Sequence, residues 1–264
     1  MYEFAYHKPA SVADAVKLLA ADGEAKAVAG GQTLIPTLKQ RLARPTALVD
    51  LSAVRDLVGI TVGGGKVTIG AMTKHVDVAS SADVKKALPA LAALADGIGD
   101  PQVRNRGTIG GSIANNDPAA DYPSACLALG ATIKTNTREI AADEFFKGMF
   151  ETALKPGELI VSVSFPVAEK AAYMKFAQPA SRYALVGVFV AKGPAGARVA
   201  VTGAGPSVFR WKEAEAALGK SWGVAAVENL KASASGLNSD IHAGADYRAH
   251  LIGVMTKRAV AAAG

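Results

Sequence analysis

Two turns built around glycine pairs hold the residues of this sequence best suited to chemistry. The first reads Ala29-Gly30-Gly31-Gln32-Thr33-Leu34-Ile35-Pro36, and the second reads Thr108-Ile109-Gly110-Gly111-Ser112. Because glycine lacks a Cβ atom, such turns let the main chain approach a phosphate closely and direct several N–H groups at one anion. The two turns could therefore hold one pyrophosphate from both sides.

Neither turn matches a common nucleotide-binding motif. The first lacks the Gly-x-Gly-x-x-Gly spacing of dinucleotide-binding folds and the Gly-Lys-Ser/Thr ending of a P-loop. Taken alone, a glycine pair before a helix more often reflects turn chemistry than a ligand cradle. The polar stretch 99–107 before the second turn, and Asn115, Asn116 and Asp117 after it, are typical of a binding loop and favour a cradle.

The residues around the first turn predict a βαβ unit. A capped amphipathic helix spans about 11–21, a strand follows at 25–29, the turn opens a helix over about 33–42, and another strand lies at 47–51. In this order the first turn lies at the C-terminal end of a strand, where ligands of α/β folds commonly bind.

The rest of the chain predicts a mainly antiparallel segment and then a sheet packed on helices. A hairpin at 59–62 and 66–70 precedes a helical region at 73–98, a helix at 121–129, and strands at 131–136, 138–142 and 158–165. Pro166 indicates a subdomain boundary. Beyond it we expect strands at 171–178, 184–192 and 197–203, then helices near 208–219, 222–231 and 245–262.

The composition argues against several function classes. The formal net charge is +6, but Lys and Arg are scattered singly, which indicates a solvated basic surface and no nucleic-acid motif. The single cysteine excludes an intramolecular disulfide and a cysteine-rich zinc or iron–sulfur site within the chain, and the dispersed histidines predict no metal site. Without a leader-like start or an apolar run near the roughly 20 residues of a membrane span, we expect a cytoplasmic protein.

Four motifs spread over the chain occur together in one known family. They are residues 29–33, residues 104–112, residues 173–176 with 180–183, and the C-terminal group Ile241-His242-Ala243, Tyr247, Arg248 and Leu251. Over essentially its whole length the sequence resembles the FAD-binding medium subunits of molybdenum hydroxylases, the group that includes aerobic carbon monoxide dehydrogenase and xanthine dehydrogenase.

The resemblance implies an α+β fold in two domains. A two-lobed FAD-binding domain of the vanillyl-alcohol-oxidase (PCMH) type is expected over 1–167, with a small α/β lobe at about 1–55 and a larger antiparallel lobe at 56–167. A C-terminal domain of the carbon monoxide dehydrogenase flavoprotein type, with an antiparallel sheet and a helix bundle, is expected over 168–264.

The resemblance also implies non-covalent FAD held by both turns. Their residues would wrap the pyrophosphate and the neighbouring sugar groups through backbone amides, with hydroxyls from Thr33 and Ser112. The residues concerned are Ala29, Gly30, Gly31, Gln32, Thr33, Leu34, Ile35, Thr108, Ile109, Gly110, Gly111 and Ser112. We expect valine at Gly31 or Gly110 to abolish FAD retention by placing a branched side chain where the phosphate approaches.

Four further residues are expected near the flavin. By the resemblance, Asp121 bonds a polar group on the flavin side, although it could also cap the helix that follows. Ile160 lies on the strand that passes the isoalloxazine ring, and Lys175 faces the polar edge of the ring unless it is a solvated strand lysine. Tyr183 gates access to the flavin or is a half-buried core tyrosine.

The resemblance makes the chain the electron exit of a larger enzyme. The expected partners are a small subunit with two [2Fe-2S] clusters and a large subunit with the molybdopterin cofactor, in a dimer of heterotrimers. FAD would pass their electrons to an external acceptor, and the substrate would be oxidised on the molybdenum subunit, so no acid–base catalytic residue is expected here. The alternatives are a self-contained FAD-dependent reductase or oxidase on the same fold, and a nonenzymatic scaffold that has kept the fold.

Overall fold

The computed structural model describes residues 1–264, and its first lobe is the predicted βαβ unit. Its elements are β1 (Ala5–His7), α1 (Val12–Ala21), β2 (Lys26–Val28), α2 (Leu34–Lys39) and β3 (Ala47–Asp50). β3 lies between β1 and β2 and pairs with both in parallel. The sequence missed β1, because all of its residues are exposed and carry no apolar alternation.

A five-stranded antiparallel sheet of order β4-β5-β10-β6-β7 forms the second lobe. After two short 3₁₀ turns (Leu51–Ala53 and Arg55–Leu57), its elements are β4 (Ile60–Gly63), β5 (Lys66–Gly70), α3 (His75–Ser80), α4 (Ala82–Ala87), α5 (Pro89–Asp96), α6 (Pro101–Arg104), α7 (Ile109–Asn115), α8 (Tyr122–Leu129), β6 (Thr132–Thr135), β7 (Glu139–Ala141), α9 (Ala142–Phe145), β8 (Phe146–Gly148), β9 (Glu151–Thr152) and β10 (Ile160–Pro166). β8 and β9 form a separate hairpin. Every residue of α8 is buried, so this helix is the centre of the lobe.

Two sequence predictions in this lobe need correction. The helical region at 73–98 is three short helices, because Ser81 caps α4 by accepting from the Val84 N–H and Pro89 begins α5, where its missing N–H is tolerated. No helix was predicted at the second glycine turn, but α7 begins there, with Thr108 as its N-cap.

The C-terminal part is a four-stranded antiparallel sheet covered by helices. Its elements are β11 (Lys170–Ala177), β12 (Ala184–Gly193), β13 (Gly196–Thr202), β14 (Phe209–Arg210), α10 (Lys212–Lys220), α11 (Val224–Val227) and α12 (Ala245–Ala263). The predicted helix at 208–219 begins too early, because Phe209 and Arg210 pair with β13 as a short edge strand. The predicted helix at 222–231 is limited to α11.

One apolar core joins the second lobe to the C-terminal sheet. Phe145 and Phe165 from the lobe and Phe189 from β12 belong to one buried cluster, each with 0% exposure. Asp143 on α9 adds ion pairs to Arg198 and Arg210 of the C-terminal sheet. The predicted α+β class is confirmed, and no helix combines the length and apolar composition needed to cross a bilayer.

Candidate functional site

A cleft of about 710 Å³ lies where the two glycine turns meet. This volume falls within the roughly 300–1,000 Å³ of small-molecule sites. The predicted residues that line it are Ala29, Gly30, Gly31, Gln32, Thr33, Leu34, Thr108, Gly110, Gly111, Ser112 and Ile160. Ile35 and Ile109 do not line it: Ile35 packs beside Gly31, and Ile109 is fully buried in the core.

The two turns touch each other through backbone atoms. An ideal Cβ on Gly30 would lie 2.3 Å from the Arg106 carbonyl oxygen and 2.7 Å from Gly107 Cα. A Cβ on Gly111 would lie 3.4 Å from the Ala29 Cβ. Glycine is therefore required at residue 30 for the main chains to pack, and the turns form one continuous wall.

The first turn presents unpaired backbone donors. No protein group accepts a hydrogen bond from the backbone N–H of residues 30–34. Gly31 has a φ of +72°, a left-handed conformation that glycine adopts readily. Thr33 lies at the N-terminus of α2, but its hydroxyl makes no capping hydrogen bond to that helix. Consecutive unpaired amides of this kind are the donors that an anion-binding concavity requires.

The second turn differs, because its amides already have acceptors in the protein. Ile109 N–H donates to Thr73 O at 3.1 Å and Gly110 N–H donates to Ala71 O at 2.8 Å. Gly111 N–H donates to the Thr108 hydroxyl at 3.1 Å. This turn is thus fixed against the segment after β5, and it contributes a wall and the Ser112 hydroxyl to the cleft.

Protein atoms alone already restrict residues 31 and 110 to glycine. A Cβ on Gly31 would meet the Ile35 side chain at 2.8 Å, and a Cβ on Gly110 would meet the Ala71 backbone oxygen at 2.7 Å. The loss of FAD retention expected for valine at these positions stays a prediction. A larger residue at position 31 would strain a left-handed backbone, and a larger residue at position 110 would push α7 away from Ala71.

Asp121 and Lys175 lie outside the cleft lining and pair with each other. Lys175 Nζ is 3.0 Å from Asp121 Oδ1 and donates to Gly97 O at 2.7 Å, so Lys175 is not a solvated strand lysine. The Tyr173 hydroxyl donates to the same Asp121 oxygen at 2.5 Å. Burial raises the pKa of Asp121, and Lys175 with the Tyr173 hydroxyl opposes this rise.

The alternative role of Asp121 as a helix cap is wrong. Asp121 precedes α8, but its side chain makes no capping hydrogen bond to that helix. Both named donors bind Oδ1, and no protein donor binds Oδ2. One carboxylate oxygen is therefore left for another donor.

Tyr183 lines a second cavity, of about 450 Å³. Its side chain is 52% exposed and does not belong to the apolar core. Phe150 lines both this cavity and the cleft, so the two spaces adjoin there.

Sequence reasoning missed two parts of the cleft. The segment 154–159, directly before the predicted Ile160, forms one wall, and its Lys155-Pro156-Gly157 turn before a strand was the available signal. His75 also lines the cleft, and as one of four dispersed histidines it carried no signal in the sequence. It is 4% exposed with no partner for Nδ1, and burial together with the charge of Arg104 lowers its pKa to about 4, so the imidazole is neutral near pH 7.

Two family models account for nearly the whole chain. The model described as the FAD binding domain in molybdopterin dehydrogenase matches residues 2–168, and the CO dehydrogenase flavoprotein C-terminal domain matches residues 171–263. The chain belongs to the FAD-binding medium subunits of the molybdenum hydroxylase family. It is an oxidoreductase subunit, which confirms the family prediction made from the four motifs.

Relatives of this medium subunit match it from end to end. The carbon monoxide dehydrogenase medium chain of Hydrogenophaga pseudoflava is 37% identical over 98% of this chain and 96% of its own length. The nicotine 6-hydroxylase medium subunit of Paenarthrobacter nicotinovorans is 36% identical, also over 98% and 96%. A solved structure of carbon monoxide dehydrogenase from Hydrogenophaga pseudoflava superposes with a TM-score of 0.90 at 37% identity, covering 99% of this chain and 97% of that one.

The cleft of this medium subunit fits the cofactor of its family. FAD carries a pyrophosphate, and the unpaired amides of residues 30–34 with the free Thr33 hydroxyl provide donors for an anion. The close backbone contact at Gly30 holds these donors against the segment that leads into the second turn. The chemistry and the size of the cleft therefore agree with the FAD-binding family model.

Proposed function

We propose that this chain is the FAD-carrying electron-transfer subunit of a heterotrimeric molybdenum hydroxylase. The observation that carries the proposal is the row of unpaired amides in residues 30–34, held against the second turn at Gly30. These amides and the Thr33 and Ser112 hydroxyls bind the pyrophosphate side of FAD. When bound, FAD exchanges electrons singly or in pairs with partners.

The proposal extends to the residues expected near the flavin. Asp121 Oδ2 is free of protein donors and bonds a polar group of the cofactor, and Lys175 holds Asp121 in place through Oδ1. Ile160 lines the cleft at the start of β10. The boundary between the cofactor domain and the C-terminal domain is placed at 167/168, with lobes at about 1–55 and 56–167, and is supported by the positions of the two family models.

The electrons come from other chains under this proposal. With a single cysteine, which is buried, this chain has no set of thiolates for an iron–sulfur cluster. We assign the two [2Fe-2S] clusters to a small subunit and the molybdopterin cofactor to a large one, in a dimer of heterotrimers. Two relatives are described as a medium chain and a medium subunit, which supports the presence of partner subunits in general. The cytoplasmic location stays a prediction.

Purification from the native host tests the assignment. We expect flavin and iron–sulfur absorption in the visible spectrum, with one smaller and one larger polypeptide beside this chain on a denaturing gel. Flavin on a lone polypeptide that turns over a substrate would favour a self-contained FAD reductase or oxidase. A correctly assembled complex whose medium subunit lacks flavin would favour the scaffold.

Tyr183→Phe tests the gate proposed for this residue. Because Tyr183 lines the second cavity and not the cleft, the variant should keep its full FAD content and change the rate of acceptor reduction. The control is Tyr247→Phe, since Tyr247 is 47% exposed and lies outside both cavities. An acceptor rate equal to that of the wild type, or an equal change in the control, would contradict gating by the Tyr183 hydroxyl.

A further inference from the structure

Phe150 has a backbone conformation that bulky residues seldom adopt. Its φ is +56°, and its side chain is 57% exposed. An aromatic residue in the left-handed region is a conformational outlier, and such outliers concentrate at ligand sites where the surrounding structure holds them. The exposure of the ring means that burial of Phe150 in the core does not explain this conformation.

A buried asparagine holds the turn that carries Phe150. Asn116 ends α7, is fully buried and is itself left-handed, with a φ of +43°. Its Nδ2 donates to Gly148 O at 2.7 Å and to Glu151 O at 2.8 Å, on both sides of the β8–β9 turn. The backbone carbonyl oxygen of Asn116 accepts from the Phe150 N–H at 3.1 Å. The helix that begins at the second glycine turn therefore also fixes Phe150.

Phe150 lies on the boundary between two spaces. It lines the cleft that contains the unpaired amides and also the second cavity, which Tyr183 lines. Its neighbour Met149 is 53% exposed but lines only the second cavity. Phe150 and Met149 are thus similarly exposed, but only Phe150 lies on the boundary between the two spaces.

We infer that Phe150 is a gating residue that closes the cofactor cleft toward the second cavity and limits the access of solutes to bound FAD. The ring forms the shared wall, and Asn116 fixes it there through the left-handed backbone. The inference rests on the proposed function, because it requires FAD in the cleft. Closing a site against water and solutes is a recognised way in which proteins protect reactive cofactors.

The test compares Phe150→Gly with Met149→Ala in the full chain, purified with the subunits that copurify with it. Glycine adopts a φ of +56° readily, so Phe150→Gly removes the ring without adding strain. The measurements are FAD content per chain and the constant for iodide quenching of the bound-flavin fluorescence. Both variants should retain FAD, and the quenching constant should rise at least about threefold in Phe150→Gly alone.

The outcomes separate the gate from the proposed function. Phe150→Leu, which keeps an apolar side chain on the boundary, should restore the wild-type quenching constant. An unchanged constant in Phe150→Gly, an equal rise in Met149→Ala, or loss of FAD from Phe150→Gly alone would overturn the gate. A wild-type chain without FAD would overturn the proposed function instead.

Discussion

A Gly30→Ala chain is expected to lose its flavin. The new Cβ would lie 2.3 Å from the Arg106 carbonyl oxygen, so the two glycine turns must move apart. The turn at residues 30–34 would then lose its position, and hydrogen bonds from its amides to a charged phosphate contribute about 1.5–3 kcal/mol each. Losing two of them weakens FAD binding by at least about 100-fold.

The matched control is Gly23→Ala. Gly23 lines the same cleft, but a Cβ there meets no atom within 4 Å. Titration of the flavin-free chains with FAD, followed by the change in flavin fluorescence, gives the affinities, and circular dichroism shows that each variant is folded. If folded Gly30→Ala binds FAD with the wild-type affinity, the site does not depend on the contact between the turns.

The sequence predicted the parts of the site that follow from local chemistry. The first glycine pair, the strand before it and the helix after it are encoded by neighbouring residues, and the structure contains them at 26–39. The contact between Gly30 and Arg106 is different. It depends on the packing of segments far apart in the chain, so only the three-dimensional structure shows why residue 30 is glycine.

Long-range contacts also explain what the sequence did not predict. β1 is a strand only because β3 pairs with it, and its own residues carry no burial pattern. The β8–β9 hairpin depends on Asn116, whose side chain reaches two backbone oxygens more than thirty positions away. In the sequence, Asn116 is one polar residue of a polar stretch, and the same stretch suggested a binding loop.

Glu158→Gln is expected to give the second large effect, on the wall of the cleft. Glu158 is 8% exposed and accepts from the Arg138 guanidinium in a two-point contact, at 2.9 and 3.0 Å. It also accepts from the Thr135 and Thr137 hydroxyls and from the Lys155 N–H. Because these donors would face a neutral amide that cannot accept from all of them, we expect the free energy of unfolding to fall by about 2–3 kcal/mol.

The loss of unfolding free energy in Glu158→Gln should depend on pH in a defined direction. Arg138, assisted by the Lys155 N–H and the two hydroxyls, holds the pKa of Glu158 well below its usual value, despite the opposing effect of burial. The carboxylate therefore stabilises the fold fully above its unfolded pKa of about 4.3, and this contribution is lost as the pH falls through the folded value. The difference between wild type and Glu158→Gln should be constant near neutral pH and shrink below about pH 4.

Urea unfolding of both chains between about pH 7 and pH 3 measures this difference. The control is Glu139→Gln, because Glu139 directly follows Arg138, is exposed on β7 and makes no ion pair. The control should match the wild type at every pH. A wild-type advantage over Glu158→Gln that persists unchanged in acid would mean that the ionised carboxylate is not what fixes the segment 154–159. If the advantage is lost in acid, FAD affinity should fall with it, because Glu158 anchors a segment that lines the same cleft as the first glycine turn.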